Sequence, residues 1–391
     1  MRRVYADEAA TTRPAPEVLE AMRPWLGESF GNASSVHSRG ETARDALEAA
    51  RAEVARLLGA QQEEIVFTAT GSEANNLALK GALASIETPE RRRIVTSAIE
   101  HNSVLETARH LEARGFALTV VPVQPNGMVD PDAVVEALGD DVALVSIMAV
   151  NNETGVIQPI DEIGALVRAS GALFHVDAVQ AAGKRAIGVD PWCADLLSIA
   201  AHKFHGPLGA AALFVRRRTR LVPLVHGGHQ ERSRRAGTEN VPAIVGFGAA
   251  ALRAREALAS GEPANVAVLG ETLLAGLLRN VPDTRLNGDL NQRVGGTLNL
   301  CFSGVDGEAV LHELDREGVI VSTGSACSAG ASGPSHVLTA MGLRPEDAHA
   351  SVRFSIGADV TPADIDHICE VTPPIIERLR ALSGRAMEKS A

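Results

Sequence analysis

The stretch from residue 195 to residue 215 reads DLLSIAAHKFHGPLGAAALFV, and it decides the fold class. It holds two short apolar runs, residues 195–200 and 210–215, which are typical of strands buried on both faces. Between the runs stand His202 and Lys203, followed by a Gly-Pro turn. The stretch therefore predicts a buried sheet with polar side chains directly after one of its strands.

Further runs of the same kind lie upstream, separated by longer segments rich in Ala, Leu and Glu that have helical periodicity. Regular alternation of strand and helix predicts an α/β fold, in which a mostly parallel sheet is covered by helices on both faces. The upstream runs are residues 64–68, 93–97, 117–123, 142–149 and 173–177.

The alternation stops at residues 261–263, which read Gly-Glu-Pro. A long helix follows, then strand candidates at residues 296–301 and 319–322, and then helices to the end. A chain of 391 residues also exceeds the size at which a single core stops growing. We therefore predict a large domain over residues 15–260 and a smaller α+β domain made of residues 1–14 and 261–391.

Composition narrows the possible partners. The net charge is −11, which leaves no basic field for nucleic acid or anionic lipid. The N-terminus lacks the apolar segment of a signal peptide, and the longest apolar run, residues 142–150, is too short to span a bilayer. Four cysteines without C-x-x-C spacing indicate neither a zinc site nor a disulfide framework. We expect a soluble cytoplasmic protein without a metal.

Polar residues follow several of the predicted strands, where α/β proteins bind their ligands. Residues 70–72 precede a helical run, so their backbone N–H groups could cradle a phosphate, although taken alone this signal favours a plain N-cap at Ser72. Asp177 ends an apolar run and needs a fixed cationic or N–H partner. A pyridinium nitrogen would serve, and capping of the next helix is the alternative.

Lysine is scarce, occurring only four times in the chain. Lys203 is the one that follows a buried-type strand and enters a Gly-Pro turn, which makes it the candidate amine for a Schiff base. Lys80 and Lys184 have the context of a helix face and a turn.

Together these segments resemble the class V aminotransferase family of fold-type I pyridoxal-phosphate enzymes, and within it the cysteine desulfurases with a long mobile cysteine loop. The resemblance implies that L-cysteine is converted to L-alanine, with the sulfur carried away as a persulfide for iron–sulfur cluster assembly or tRNA thiolation. The blocks that carry it are residues 150–155, 175–180, 201–207, 227–232, 237–240 and 322–327.

The resemblance also implies roles at the cofactor. Lys203 would form the Schiff base with pyridoxal 5′-phosphate and later move the substrate's α-proton. Asp177 would keep the pyridine nitrogen protonated, Gln180 would bond the ring hydroxyl, and His101 would stack on the ring and transfer protons. Asn152 and Arg353 would bind the substrate carboxylate. The phosphate would be held by Gly71, Ser72, His202 and, in a homodimer, Thr238 of the partner subunit.

Cys327 lies in residues 324–334, a stretch of small residues that is expected to be flexible. Such a stretch suits a nucleophile that must move between the substrate and the surface. The resemblance implies that it receives the sulfur and passes it to an iron–sulfur scaffold or a sulfur carrier protein. Cys193, Cys301 and Cys369 fit the simpler description of small buried hydrophobic residues.

Three positions depart from the family pattern. Ala200 stands where relatives commonly have Ser or Thr on the phosphate, Leu208 replaces a frequent Lys, and Glu8 follows Asp7 where Asn or His is usual. These departures put cofactor affinity in question rather than the reaction type. A selenocysteine lyase and a class V aminotransferase remain alternatives, as does a non-enzymatic scaffold, against which the presence of Lys203 argues.

Overall fold

The structure is a computed structural model that describes residues 2–323 and 333–384. In chain order the strands are β1 (Val4–Tyr5), β2 (Ile65–Thr68), β3 (Arg93–Ser97), β4 (Ala117–Val121), β5 (Val142–Met148), β6 (Leu173–Asp177), β7 (Leu196–Ala200), β8 (Ala211–Val215), β9 (Thr284–Asn287), β10 (Thr297–Phe302), β11 (Val319–Ile320) and β12 (Ser351–Ser355).

The α-helices of the described residues are α1 (Pro16–Met22), α2 (Ser38–Leu58), α3 (Gly71–Asn76), α4 (Ala82–Ala84), α5 (Asn102–Glu112), α6 (Pro131–Ala137), α7 (Ile160–Ser170), α8 (Gln230–Ser233), α9 (Val241–Ser260), α10 (Glu262–Asn280), α11 (Gly307–Arg316), α12 (His336–Ala340), α13 (Pro345–His349) and α14 (Pro362–Leu382). A π-helical stretch, Leu77–Gly81, joins α3 to α4 into one continuous helix. None of the helices in the described residues is long and apolar enough to cross a membrane.

Seven strands form the main sheet, in the order β2-β8-β7-β6-β5-β3-β4. Strand β8 runs antiparallel to both of its neighbours, and the other pairings are parallel. The predicted α/β class with a mostly parallel sheet is therefore confirmed. Each of the seven apolar runs became a strand whose ends lie within two residues of the prediction.

Both faces of this sheet are buried, which explains why its strands are apolar without alternation. On one face of β2, Phe67 packs in a hydrophobic cluster with residues of α2 and α9. On the other face, Val66 packs in a second hydrophobic cluster with residues of α3 and α5. Phe214 and Leu213 of β8 divide between the two clusters in the same way. Burial of large side chains on both faces makes the sheet a rigid platform for the residues that follow its strands.

A second sheet, β12-β10-β9, is antiparallel and has its own core with α10, α11 and α14. The prediction of helices from residue 323 to the end was wrong, because β12 lies between α13 and α14. Its five residues alternate Ser, Val, Arg, Phe, Ser, the period of a strand, but over too short a length to stand out. The division into domains at residue 260 stays a prediction.

The N-terminal segment connects the second sheet to the first. Strand β1 pairs in parallel with β11, and Asp7 then bridges to Ser355 of β12. Farther along, the N–H of Thr12 donates to the carbonyl of His202, just beyond β7. This path lays residues 7–12 across the edge of the main sheet where β7 ends.

Candidate active site

A cavity of about 440 Å³ opens at the carboxyl ends of β5, β6 and β7. Its volume lies in the range typical of small-molecule sites. The residues around it come from both sheets and from the N-terminal segment. Those that the sequence singled out are Gly71, Ser72, His101, Asn152, Asp177, Gln180, His202, Lys203 and Arg353.

The N-terminus of α3 supplies an anion site at one end of the cavity. Thr70 is the N-cap, because its side chain accepts a 3.0 Å hydrogen bond from the N–H of Glu73. The alternative of Ser72 as N-cap is therefore wrong. The N–H groups of Gly71 and Ser72 belong to the first turn, which has no intrahelical acceptors, and such groups bind phosphate well. A Cβ on Gly71 would lie 3.1 Å from Cγ2 of Val179, so glycine fits this tight wall.

Asp177 holds an anionic position deep in the cavity, with 4% of its surface exposed. Its Oδ1 accepts from the N–H of Val179 at 3.0 Å, and its Oδ2 accepts from Nδ2 of Asn75 at 2.7 Å. A carboxylate has about four acceptor positions, so these two bonds fix its orientation and leave capacity for a donor in the cavity.

Lys203 lies in the 3₁₀ turn Ala201–Lys203, which directly follows β7. Its Nζ donates to the carbonyls of Ala9 and Ala10 at 2.7 and 2.8 Å. The N-terminal segment therefore holds the amine at the wall of the cavity.

A second lysine lies near the first. Lys184 Nζ is 2.5 Å from Oε1 of Gln180, whose Nε2 donates to the carbonyl of Ala9 at 2.8 Å. Burial, together with the positive charge of Lys203, lowers the pKa of Lys184 to about 7. The sequence context of a turn was correct for Lys184, but it gave no sign of this proximity to the cavity.

His202 is a neutral hydrogen-bonding group at physiological pH. Burial and the charge of Lys203 lower the pKa of His202 to about 4. Its Nδ1 lies 3.1 Å from the hydroxyl of Thr11. A neutral imidazole beside the anion site can orient a phosphate through a hydrogen bond without adding charge.

Arg353 projects from β12 and is only 3% exposed. Its Nη1 donates to the carbonyl of Asn152 at 2.9 Å, and its Nη2 donates to Oδ1 of Asp7 at 2.6 Å. Its Nε is buried and has no hydrogen-bond partner among the described residues. Since a guanidinium carries five N–H donors, this group can still receive a carboxylate.

Two of the predicted site residues are not part of the described cavity. Thr238 is exposed and does not line it, and Cys327 lies outside the described residues. Leu208 is 71% exposed in the Gly-Pro turn. Within residues 2–323 and 333–384 no cluster of His, Cys, Asp or Glu could hold a metal ion.

Sequence reasoning missed Asn75, Ser103 and Asp7. Asn75 and Ser103 also line the cavity, and Asp7 reaches its wall through Arg353. Asn75 stands in the polar run 69–76 after β2, which was the only signal that could have identified it.

These groups fit pyridoxal 5′-phosphate. The anion site suits a phosphate, the Asp177 carboxylate suits a protonated ring nitrogen, and Lys203 supplies a primary amine for the aldehyde. The hydrogens of Arg353 that are not used by Asn152 and Asp7 suit a further carboxylate ligand.

Comparisons with known proteins agree with this arrangement. The family described as "Aminotransferase class-V" matches residues 4–368. A protein of Trichormus azollae named cysteine desulfurase is 47% identical over 383 residues, covering 97% of this chain and 94% of that protein. A solved structure titled "NIFS-LIKE PROTEIN" superposes with a TM-score of 0.89 at 36% identity, covering 97% of this chain and 99% of that one. Another, titled "SspA in complex with cysteine", has a TM-score of 0.81 at 37% identity over 91% and 99% of the two chains.

Proposed function

The chain belongs to the class-V aminotransferase family and within it to the cysteine desulfurases, and we propose that its cavity binds pyridoxal 5′-phosphate and L-cysteine together. The observation that carries this proposal is the convergence of an amine, an anion site and a buried carboxylate around one cavity, with the Arg353 guanidinium at its wall. The products are L-alanine and a sulfur atom bound to Cys327.

Several residues would hold the cofactor. The N–H groups of Gly71 and Ser72, the Ser72 hydroxyl and neutral His202 would bind the phosphate. Asp177 would accept from the ring nitrogen, and Gln180 would bond the ring hydroxyl. When bound, the cofactor withdraws electrons from the α-carbon of the amino acid.

Lys203 would act twice, first as the covalent attachment point and then as the base at the substrate's α-carbon. The carbonyls of Ala9 and Ala10 would hold its Nζ near the wall whenever the amine is released. His101 would stack on the ring and move a proton at the reacting face.

Arg353 and Asn152 would hold the substrate carboxylate. The remaining hydrogens of Nη1 and Nη2 offer a two-pronged contact that a lysine could not provide. This grip would orient the substrate sulfur toward the approach of Cys327.

Cys327 would attack the substrate sulfur as a thiolate. A sulfur–sulfur bond forms while the bond between the substrate's β-carbon and sulfur breaks, and the electron pair of that bond stays with carbon. The carbon then takes up a proton to become the methyl group of alanine. The terminal sulfur of the persulfide would pass to an iron–sulfur scaffold or a sulfur carrier protein.

We further propose a homodimer in which Thr238 of the partner subunit completes the phosphate site. The exposure of Thr238 in the single chain supports this, because a residue that serves another subunit's cavity must lie on the surface.

Cys193, Cys301 and Cys369 are free thiols, which supports a reducing compartment such as the cytoplasm.

A single spectrophotometric experiment tests the function. Purified protein loaded with pyridoxal 5′-phosphate is mixed with L-cysteine and a thiol reductant, and alanine and sulfide are measured with the absorbance spectrum. We expect equal amounts of alanine and sulfide and a change in the cofactor band. Keto-acid formation that depends on an amino acceptor would identify an aminotransferase, and turnover restricted to selenocysteine would identify a lyase for that amino acid.

A further inference from the structure

A chain of hydrogen bonds joins the two residues that flank the cofactor position, His101 and Asp177. From Asp177 Oδ2 it passes at 2.7 Å to Nδ2 of Asn75, and from the same Nδ2 at 2.9 Å to the hydroxyl of Ser103. The Ser103 Oγ is in turn 2.7 Å from Nδ1 of His101. Asn75 is 1% exposed and His101 and Ser103 are half-buried, so the chain follows the wall of the cavity.

The direction of each bond follows from what each atom can do. The backbone N–H of Ser103 can only donate, and it points at Nδ1 of His101 at 3.1 Å. Nδ1 is therefore an acceptor that carries no proton. A neutral imidazole keeps one N–H, so the proton of His101 resides on Nε2.

The same reasoning orients the rest of the chain. Because Nδ1 has no hydrogen to give, the Ser103 hydroxyl donates its single hydrogen to Nδ1 and acts as the acceptor toward Asn75. An ionised carboxylate is also only an acceptor, so Nδ2 of Asn75 must face Asp177. Turning the amide over would place Oδ1 of Asn75 against a carboxylate oxygen at that 2.7 Å distance.

The amide of Asn75 is therefore held through its nitrogen, Nδ2, and not through its oxygen, Oδ1. Oδ1 of Asn75 is buried and has no hydrogen-bond partner among the described residues. Leaving a buried amide oxygen without a partner costs free energy, and the two bonds made by Nδ2 offset that cost. The orientation of Asn75 is consequently set by the two groups that accept from its Nδ2, the Asp177 carboxylate and the Ser103 hydroxyl.

We propose that Asn75 and Ser103 are positioning residues that couple the ionised carboxylate of Asp177 to Nδ1 of His101 and, with the backbone N–H of Ser103, keep the imidazole proton on Nε2. His101 therefore carries a hydrogen-bond donor, and not an acceptor, at Nε2. The tautomer is a property of the chain itself, whereas its consequence for turnover rests on the proposed function.

The tautomer is tested by nitrogen NMR on full-length protein labelled with ¹⁵N-histidine, measured with and without pyridoxal 5′-phosphate. The His101 resonances are assigned with a His101→Gln variant. We expect an unprotonated Nδ1 and a protonated Nε2 in the wild type. Ser103→Ala should move the Nδ1 resonance toward that of a weakly bonded nitrogen, Ser103→Thr should restore it, and Asn75→Ala should move it less in the same direction.

The coupling is tested by Asp177→Asn in the protein without cofactor. We expect this change to move the Nδ1 resonance of His101 when Ser103 is present and to leave it unmoved in Ser103→Ala. An equal movement in both backgrounds, or a proton found on Nδ1 of the wild type, overturns the inference. Ser170→Ala is the control, since its hydroxyl bonds the carbonyl of Val167 at the end of α7.

Kinetics supply an independent readout. Loss of one neutral hydrogen bond to His101 should lower kcat of Ser103→Ala roughly five-fold, with KM for L-cysteine unchanged because Arg353 and Asn152 are untouched. Ser103→Thr should recover kcat. If the NMR result fails while wild type still releases alanine and sulfide, only this inference falls. If wild type releases neither, the proposed function falls and the tautomer result stands.

Discussion

The carboxylate of Asp7 forms a 2.6 Å ion pair with Nη2 of Arg353 at the wall of the cavity. Both side chains are largely shielded from water, with 3% of Arg353 and 17% of Asp7 exposed. In the proposed role of Arg353, a substrate carboxylate would therefore meet a guanidinium whose charge is already partly neutralised. Asp7 orients Arg353 and would compete with the substrate for it.

Replacing Asp7 separates these two effects. Asp7→Asn keeps an acceptor oxygen near Nη2 but removes the negative charge, so Arg353 stays in place with a stronger field. We expect KM for L-cysteine to fall about three-fold and kcat to stay close to the wild-type value, which steady-state kinetics would show. Asp7→Ala also removes the acceptor, and we expect its KM to rise and its melting temperature to drop. A higher KM in both variants would contradict the competition.

Lys203→Ala should fold and yet lose the covalent bond to the cofactor. Its Nζ donates to two carbonyls of the N-terminal segment at the wall of the cavity, so we expect its removal to leave the cores intact. After borohydride reduction, mass spectrometry of the digest should find the cofactor on the peptide with Lys203 in wild type and on no peptide in the variant, which should also be inactive. Lys184→Met is the matched control and should keep the link. A cofactor fixed to Lys184 would show that the wrong lysine was assigned.

Much of this site was accessible from the sequence because its signals are local. Lys203, Asp177 and the turn before α3 each follow an apolar run within a few residues, and parallel strands bring such ends together. The strands themselves were predicted because burial on both faces requires uninterrupted apolar runs.

The contacts that orient those residues were not accessible, because they join distant parts of the chain. Asn75 and Asp177 are 102 positions apart, Lys203 and Ala9 are 194 apart, and Arg353 and Asp7 are 346 apart. No periodicity or composition encodes such a pair, since it exists only once both cores have formed.

Glu100 should make the protein less stable as the pH rises. It is fully buried, and burial, with a smaller effect from the charge of Asp177, raises its pKa from 4.5 to about 8. Between these values the folded chain keeps a proton that the unfolded chain releases, so the free energy of unfolding falls through this window. Each pKa unit corresponds to about 1.4 kcal/mol, so the total loss is on the order of a few kcal/mol.

Glu100→Gln should remove that loss. Oε1 of Glu100 accepts from the Ser97 hydroxyl and the N–H of Met148, and the amide oxygen of glutamine can keep both bonds without a titratable group. Urea unfolding should show similar stability for variant and wild type at about pH 5, and a more stable variant at about pH 8.5. Glu112→Gln, at the exposed end of α5, should behave as wild type at both. If the free energy of unfolding changed equally with pH in wild type and Glu100→Gln, Glu100 would be ionised over this whole pH range.

Cys327→Ala should separate cofactor chemistry from sulfur removal. In the proposed function, Lys203, Asp177 and Arg353 serve steps that precede the departure of sulfur, so the variant should keep its cofactor spectrum and still change it when L-cysteine binds. Release of alanine and sulfide should fall by orders of magnitude, because water seldom replaces a lost covalent nucleophile at a comparable rate. A variant with undiminished desulfuration would leave the fold and cofactor site standing but refute the role of Cys327.

The described cysteines should not substitute for Cys327 in this reaction. Burial raises the pKa of the thiols of Cys301 and Cys369, which keeps them protonated and poorly nucleophilic. Cys193 precedes β7, whereas the cavity lies beyond the other end of that strand. After brief exposure of wild type to L-cysteine without reductant, mass spectrometry should therefore find one added sulfur atom on the peptide with Cys327 and none on the others. A persulfide on Cys193, Cys301 or Cys369 would move the sulfur acceptor to another part of the molecule.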